Sequence, residues 1–286
     1  MNLTELRHQF HQKGYAIAKG VFTLDETIVY REHYLSLRET GPHPGDLVNQ
    51  WDEDENDPLK RYPRLINMHR WDDISRQWLL HGRLQQCLNS ILGHDPYAIQ
   101  TMLYFKPPGA RGQALHQDQY YLRAHPGTSI AAWMALEETD ETNGCLQLVP
   151  GTQDLPLVCP VEADESKSFT SIVIPLPKGM TPIPIKLAPG DILFFNGQII
   201  HGSYPNSTSN RFRCALVGHY IEGQAERVAE FDHPVLRMDG TVATEISISP
   251  NGGECGVWVD KDIEQFVDVT QLYETEKLET KAITHG

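Results

Sequence analysis

The chain has 286 residues, enough for one large domain with a sizeable core. Its 24 Lys and Arg against 38 Asp and Glu leave a formal charge of −14, which argues against a nucleic-acid partner and against docking on anionic lipid. With no apolar run near the roughly 18 residues of a membrane span, no signal-peptide core in Met1 to Lys13 and no Cys-x-x-Cys pair among five cysteines, the expectation is a cytoplasmic protein with reduced thiols and no membrane partner.

Leu3, Leu6 and Phe10 recur at helical spacing, and Gly14 ends that helix. Residues 15–22 read as a strand. Thr23-Leu24-Asp25-Glu26 has the form of a capping box, which predicts a helix to about Glu39. The acidic run 52–57 reads as a solvated loop, or as a lid over a substrate. One helix is predicted over 73–92, with Ile74, Trp78, Leu84, Leu88 and Ile91 as its apolar stripe and Gly93 as its stop.

After Gly93 the texture changes. Residues 97–106, 129–137, 145–149, 169–175, 182–187, 191–196 and 213–221 are short runs rich in Val, Ile, Phe and Tyr, separated by Gly, Pro, Asn and Asp. Strands so spaced predict a sandwich or barrel, mainly β with flanking helices. A last helix is expected over 262–281. With no linker in view, the reading is one domain over 1–286: helical support in 1–95, a β core in 96–222 and a C-terminal extension in 223–286. The irregular segments 46–70 and 225–258 carry no metal motif and are expected to be substrate-pocket loops.

His116-Gln117-Asp118 sets an imidazole and a carboxylate two positions apart, so in an extended segment both face one side. His201, in His201-Gly202-Ser203, supplies a second imidazole after the strand at 191–196. Two histidines and one carboxylate form the facial triad of iron(II) oxygenases, which leaves three positions open. The spacing is weak by itself, because the chain has 13 histidines and zinc accepts the same ligands. His81, His94, His125, His219 and His233 are expected to stand outside the site. Arg211 and Arg213 share one face of the following strand, and a guanidinium there can grip a carboxylate by a bidentate pair. That points to 2-oxoglutarate as cosubstrate. Spacing does not choose between the two arginines, and a surface ion pair explains either one as well.

The ordered motifs say more than the triad. They are Met102-Leu103-Tyr104-Phe105-Lys106-Pro107-Pro108, Leu115-His116-Gln117-Asp118, Ala132-Trp133-Met134-Ala135-Leu136-Glu137, Asn143-Gly144-Cys145-Leu146 with Pro150-Gly151-Thr152, Pro189-Gly190-Asp191, His201-Gly202-Ser203 and Phe212-Arg213. From about Gly14 to Tyr220 the chain resembles the phytanoyl-CoA dioxygenase family of iron(II)/2-oxoglutarate oxygenases. The resemblance implies a double-stranded β-helix, a distorted jelly roll of cupin type. It implies Fe(II) held by His116, Asp118 and His201, with 2-oxoglutarate and O2 as cosubstrates. Arg213 matches the arginine that holds the distal carboxylate of 2-oxoglutarate, and Ser203 a residue beside that carboxylate. Met102 and Trp133 match residues lining the cosubstrate pocket, with Gln117 a further candidate; on their own they read as plain core residues.

The implied reaction hydroxylates a small molecule, or oxidises it in a related way, and releases succinate and CO2. Related halogenases lack the carboxylate, so Asp118 points to hydroxylation or desaturation. Two readings from other classes stand beside this one: a non-catalytic binding protein on the same fold, and a zinc hydrolase using the same three residues. The acidic charge and the lack of a basic cluster in the sequence favour a free metabolite of a biosynthetic pathway over a CoA ester.

Overall fold

The computed structural model describes residues 2–44 and 57–249. The predicted helix at 262–281 and most of the acidic run at 52–57 lie outside them. No helix of the described residues is long and apolar enough to cross a membrane.

Two antiparallel sheets pack face to face. The larger, seven-stranded sheet runs in the order Tyr15–Ala18, Ile192–Asn196, Ser129–Ala135, Arg213–Ile221, Tyr97–Lys106, Leu236–Arg237, with Leu65–Ile66 also paired to Tyr97–Lys106. The smaller runs Gln113–His116, His201–Ser203, Leu146–Leu148, Ile183–Ile185. The crossing connections between them make the double-stranded β-helix that the motifs imply.

Side-chain alternation builds two layers of core. In Ser129–Ala135 every residue is buried, because both faces of the strand are covered. Trp133 points inward with Leu146, Leu148 and Phe195 from both sheets. Its neighbours Ala132 and Met134 point outward, where Phe10, Trp78, Leu84 and Leu88 of the helices cover the large sheet.

The front helices form for local reasons. The first spans Leu3–Lys13 and stops at Gly14 in the left-handed region. The second spans Leu24–Thr40 behind a complete Thr23/Glu26 capping box. The single helix expected over 73–92 is two helices, Asp73–Leu79 and Gly82–Leu92. His81 takes an extended backbone between them, and its ring accepts from the Arg83 N–H, so a histidine cap resets the helix axis. The strand expected over 15–22 ends at Ala18, because Gly20 N–H turns to donate to Asp191 Oδ1 at 2.8 Å. Of the strand expected over 169–175, only Ile172–Val173 pairs. Cys87, Cys145 and Cys214 are free and buried.

Candidate active site

His116 ends one strand of the small sheet and His201 begins its neighbour. They are register partners, with ring centroids 4.2 Å apart. Gly202 makes that approach possible: a Cβ there would sit 2.6 Å from the Gln113 carbonyl oxygen. Asp118 is placed differently from the expectation. Its backbone is helical, φ −62° and ψ −34°, at the head of the short helix Gln119–Leu122. A turn, and not the pleat of a strand, therefore brings the carboxylate back beside His116. Asp118 Oδ1 lies 3.5 Å from His116 Nε2 and 3.6 Å from His201 Nε2. One ligand atom from each residue falls within 4.8 Å of the others.

The hydrogen bonds suit these groups to a cation. His116 Nδ1 donates to the Ala114 carbonyl at 2.9 Å and His201 Nδ1 to the Ile199 carbonyl at 3.1 Å. Each contact fixes the tautomer that leaves Nε2 with its lone pair turned inward. Gln113 Nε2 meets the His116 lone pair at 3.1 Å. Burial pushes His201 down to about 4, so it stays neutral at neutral pH. Burial works against the Asp118 anion, but the imidazoles of His201, His116 and His219 outweigh it and hold the carboxyl well below the usual carboxylate range. Two neutral nitrogens and one anionic oxygen form a donor set that fits iron(II).

Behind the triad, Arg213 lines the same narrow cleft as His116, Asp118 and His201. Its Nε and Nη2 both donate to the Gly144 carbonyl, at 3.0 and 2.9 Å. Its Nη1 is buried with no partner among the described residues. A buried guanidinium nitrogen so placed has a strong call for an anion. Trp133 stacks against it, with the Arg213 Cζ 5.2 Å from the ring centre. Arg211 lies outside this arrangement. It precedes the strand Arg213–Ile221, and its Nη1 pairs with Asp140 Oδ2 at 2.5 Å near the surface. The two arginines therefore do not share a face.

Residues 10–215 match the sequence profile of the family described as phytanoyl-CoA dioxygenase (PhyH). The chain belongs to this family. A peroxisomal phytanoyl-CoA dioxygenase from Bos taurus is 32% identical over 237 residues, which are 78% of this chain and 70% of that one. Phytanoyl-CoA dioxygenase 1 from Oryza sativa subsp. japonica is 30% identical over 156 residues, so the match spans about half of each protein, 54% and 55%. Among solved structures, the non-heme alpha ketoglutarate dependent epimerase SnoN from nogalamycin biosynthesis superposes with a TM-score of 0.62 at 19% identity, over 78% of this chain and 84% of that one. Membership of the phytanoyl-CoA dioxygenase family and the triad together support iron(II), 2-oxoglutarate and O2 as the reagents of the site.

The remaining residues that the phytanoyl-CoA dioxygenase motifs single out sort by position. Ser203 accepts from Lys106 Nζ at 2.7 Å and from the Gln113 N–H at 3.2 Å. Met102 lines a second, larger cavity and not the cleft that holds Arg213. Gln117 turns away altogether. Its amide donates to the Gln198 carbonyl at 2.8 Å and its oxygen accepts from the Val158 N–H at 2.9 Å, so it braces backbone and has no polar group left for a cosubstrate.

The larger cavity is about 480 Å³ and opens onto His116 and Asp118. Parts of both expected substrate loops reach it: Arg64 and Ile66 from one, Ala229, Phe231 and Asp232 from the other. Arg64 lies 4.6 Å from the Phe169 ring centre. An adjoining cleft is lined by Lys60, Arg64, Lys106 and Arg111 together with Asp57, which pairs with Arg111 at 2.5 Å, so cations scattered in the sequence converge in space. Sequence reasoning also passed over His219, whose Nε2 lies 3.3 Å from Asp118 Oδ2. Its signal was its place on the Arg213 strand: Arg213, Ala215, Val217 and His219 alternate onto one face.

Proposed function

We propose that this protein is an iron(II)/2-oxoglutarate-dependent dioxygenase that hydroxylates a small-molecule metabolite. His116, Asp118 and His201 hold the metal, and Arg213 with Ser203 and Trp133 holds the cosubstrate. One observation carries the reading: two imidazole nitrogens with inward lone pairs and an anionic carboxylate converge in the same cleft as a buried arginine nitrogen with no partner among the described residues. A binding protein has no need of both, and a zinc hydrolase has no need of Arg213.

The bound metal and 2-oxoglutarate supply an oxidant from O2 strong enough to attack a C–H bond, with succinate and CO2 released. The protein supplies position. Arg213 fixes the cosubstrate by its far end, and the Trp133 ring closes that end against water. The larger cavity holds the substrate against the exposed edge of the triad. Tyr121 and Phe231, both exposed, form its lips and fit an apolar or planar body. At its floor Asp232 accepts from Gln100 Nε2 at 2.7 Å and has a second oxygen for a substrate hydroxyl or amine.

A second reading of the substrate is an acyl-CoA thioester. The cationic side chains Lys60, Arg64 and Arg111 around the adjoining cleft favour it, since they suit a phosphorylated tail.

The experiment is a succinate-release assay against free pathway metabolites and acyl-CoA thioesters, with mass analysis of the product. A gain of about 16 Da, one oxygen atom, is expected for the family's hydroxylation. Activity should return to the metal-free protein with iron(II) and not with zinc. Full activity in Asp118→Ala would sink the triad assignment.

A further inference from the structure

Two buried cations stand side by side in this fold, and only one of them has a role so far. Lys106 and Arg213 are register partners on adjacent strands, each 2% exposed. No carboxylate of the described residues forms an ion pair with either. Lys106 Nζ donates to Ser203 Oγ at 2.7 Å and to the Tyr204 carbonyl at 2.6 Å, both neutral acceptors. Gly144 ties the pair together. Its carbonyl holds Arg213, and its Cα lies so close to the Lys106 chain that a Cβ there would meet Lys106 Cδ at 2.3 Å. Burying two like charges without an anion is expensive, and a ligand anion removes that cost.

Ser203 links Lys106 to Gln113, which lines the cleft of Arg213. Its oxygen accepts from Lys106 Nζ and from the Gln113 N–H, so both lone pairs are committed. The hydroxyl hydrogen is then free to be donated only outward. We propose that Lys106 is a positioning residue for the cosubstrate: it orients the Ser203 hydroxyl as a donor and, with Arg213, makes a two-cation anchor for one carboxylate.

The electrostatics agree with this geometry. Burial, and then the nearby Arg213 charge, hold the Lys106 ammonium well below its ordinary value, and an anion between the two would oppose both effects.

This proposal rests on the 2-oxoglutarate reading above, and the test separates the two. Dissociation constants of 2-oxoglutarate and of 2-oxobutanoate, which has no distal carboxylate, are measured calorimetrically without turnover on the anaerobic Mn(II)-loaded protein. In Lys106→Met the 2-oxoglutarate constant should rise by about tenfold or more, the scale of one lost charge-assisted interaction. The 2-oxobutanoate constant should hold within about twofold, because that ligand never reaches the anchor. Lys106→Gln, which keeps a donor to Ser203 without the charge, should fall between Lys106→Met and wild type. Should Lys106→Met fail to fold, Ser203→Ala makes the smaller change at the same relay and is expected to show the same split between ligands. Equal losses for both ligands, or an unchanged 2-oxoglutarate constant, overturn the proposal. Absence of 2-oxoglutarate binding to the wild-type protein overturns the cosubstrate reading itself.

Discussion

His219 Nε2 lies 3.3 Å from Asp118 Oδ2, so the carboxylate that faces the metal site with one oxygen is held from behind by the other. His219 sits on the strand Arg213–Ile221, the strand that begins with the arginine proposed to anchor the cosubstrate. One rigid element thus orients both the carboxylate of the triad and the anchor of its cosubstrate.

Loss of that contact should loosen the metal without unfolding the protein. Partners that orient a metal ligand are worth about 10- to 100-fold in metal affinity. His219→Ala is expected to weaken iron(II) or Mn(II) binding by about that factor, and His219→Gln, which keeps a donor, by less. Competitive metal titration measures it. An unchanged metal constant in His219→Ala would show that Asp118 needs no support.

Arg211 and Arg213 make an internal control. Arg213 is buried with one nitrogen unpartnered among the described residues, whereas Arg211 forms a surface pair with Asp140. Arg213→Gln should raise the KM for 2-oxoglutarate by about tenfold or more, from the loss of a charge-assisted hydrogen bond of roughly 1.5–3 kcal/mol. Arg211→Gln should leave that KM within about twofold and cost no more than about 1 kcal/mol of stability. Steady-state kinetics with varied 2-oxoglutarate decide it, and the reverse ranking would move the anchor to Arg211.

Much of this site was legible in the sequence, and the gaps have physical causes. The triad, Arg213 and Trp133 sit in short motifs whose order carries the information, and the structure brings them into one cleft. The strand Arg213–Ile221 is predicted to the residue. Asp118 reaches the site by a route other than the extended segment expected, because the chain turns into a helix after His116. Gln117 was misplaced because adjacency in a motif says nothing about which way a side chain faces. His219 and Lys106 were missed because a lone histidine or lysine has no spacing signature; only cross-strand register puts them beside Asp118 and Arg213. The basic cleft was invisible for a similar reason, since Lys60, Arg64, Lys106 and Arg111 converge only in space.

Asp232 offers a test of the substrate cavity that needs no substrate. It is 1% exposed, and burial pushes its carboxyl up to about 7 despite the nearby His219, the Gln100 hydrogen bond and the Arg70 and Arg123 charges. In the unfolded chain an aspartate titrates near about 3.9. Between those values the folded protein holds more protons than the unfolded one, so this residue lowers stability as pH rises from about 4 to about 7, and the penalty is complete above that window. At roughly 1.4 kcal/mol per unit, a shift of this size caps the penalty at about 4 kcal/mol. Asp232→Asn keeps an oxygen for Gln100 and removes the charge. Its stability gain over wild type should therefore be larger at pH 8 than at pH 5, by up to about 3 kcal/mol in urea denaturation. Parallel pH–stability curves for the two proteins would place the ionisation elsewhere. The same variant should turn over substrate more slowly where the substrate donates to the second Asp232 oxygen. A group that weakens the fold at neutral pH and strengthens binding is the expected signature of a buried acid kept for recognition.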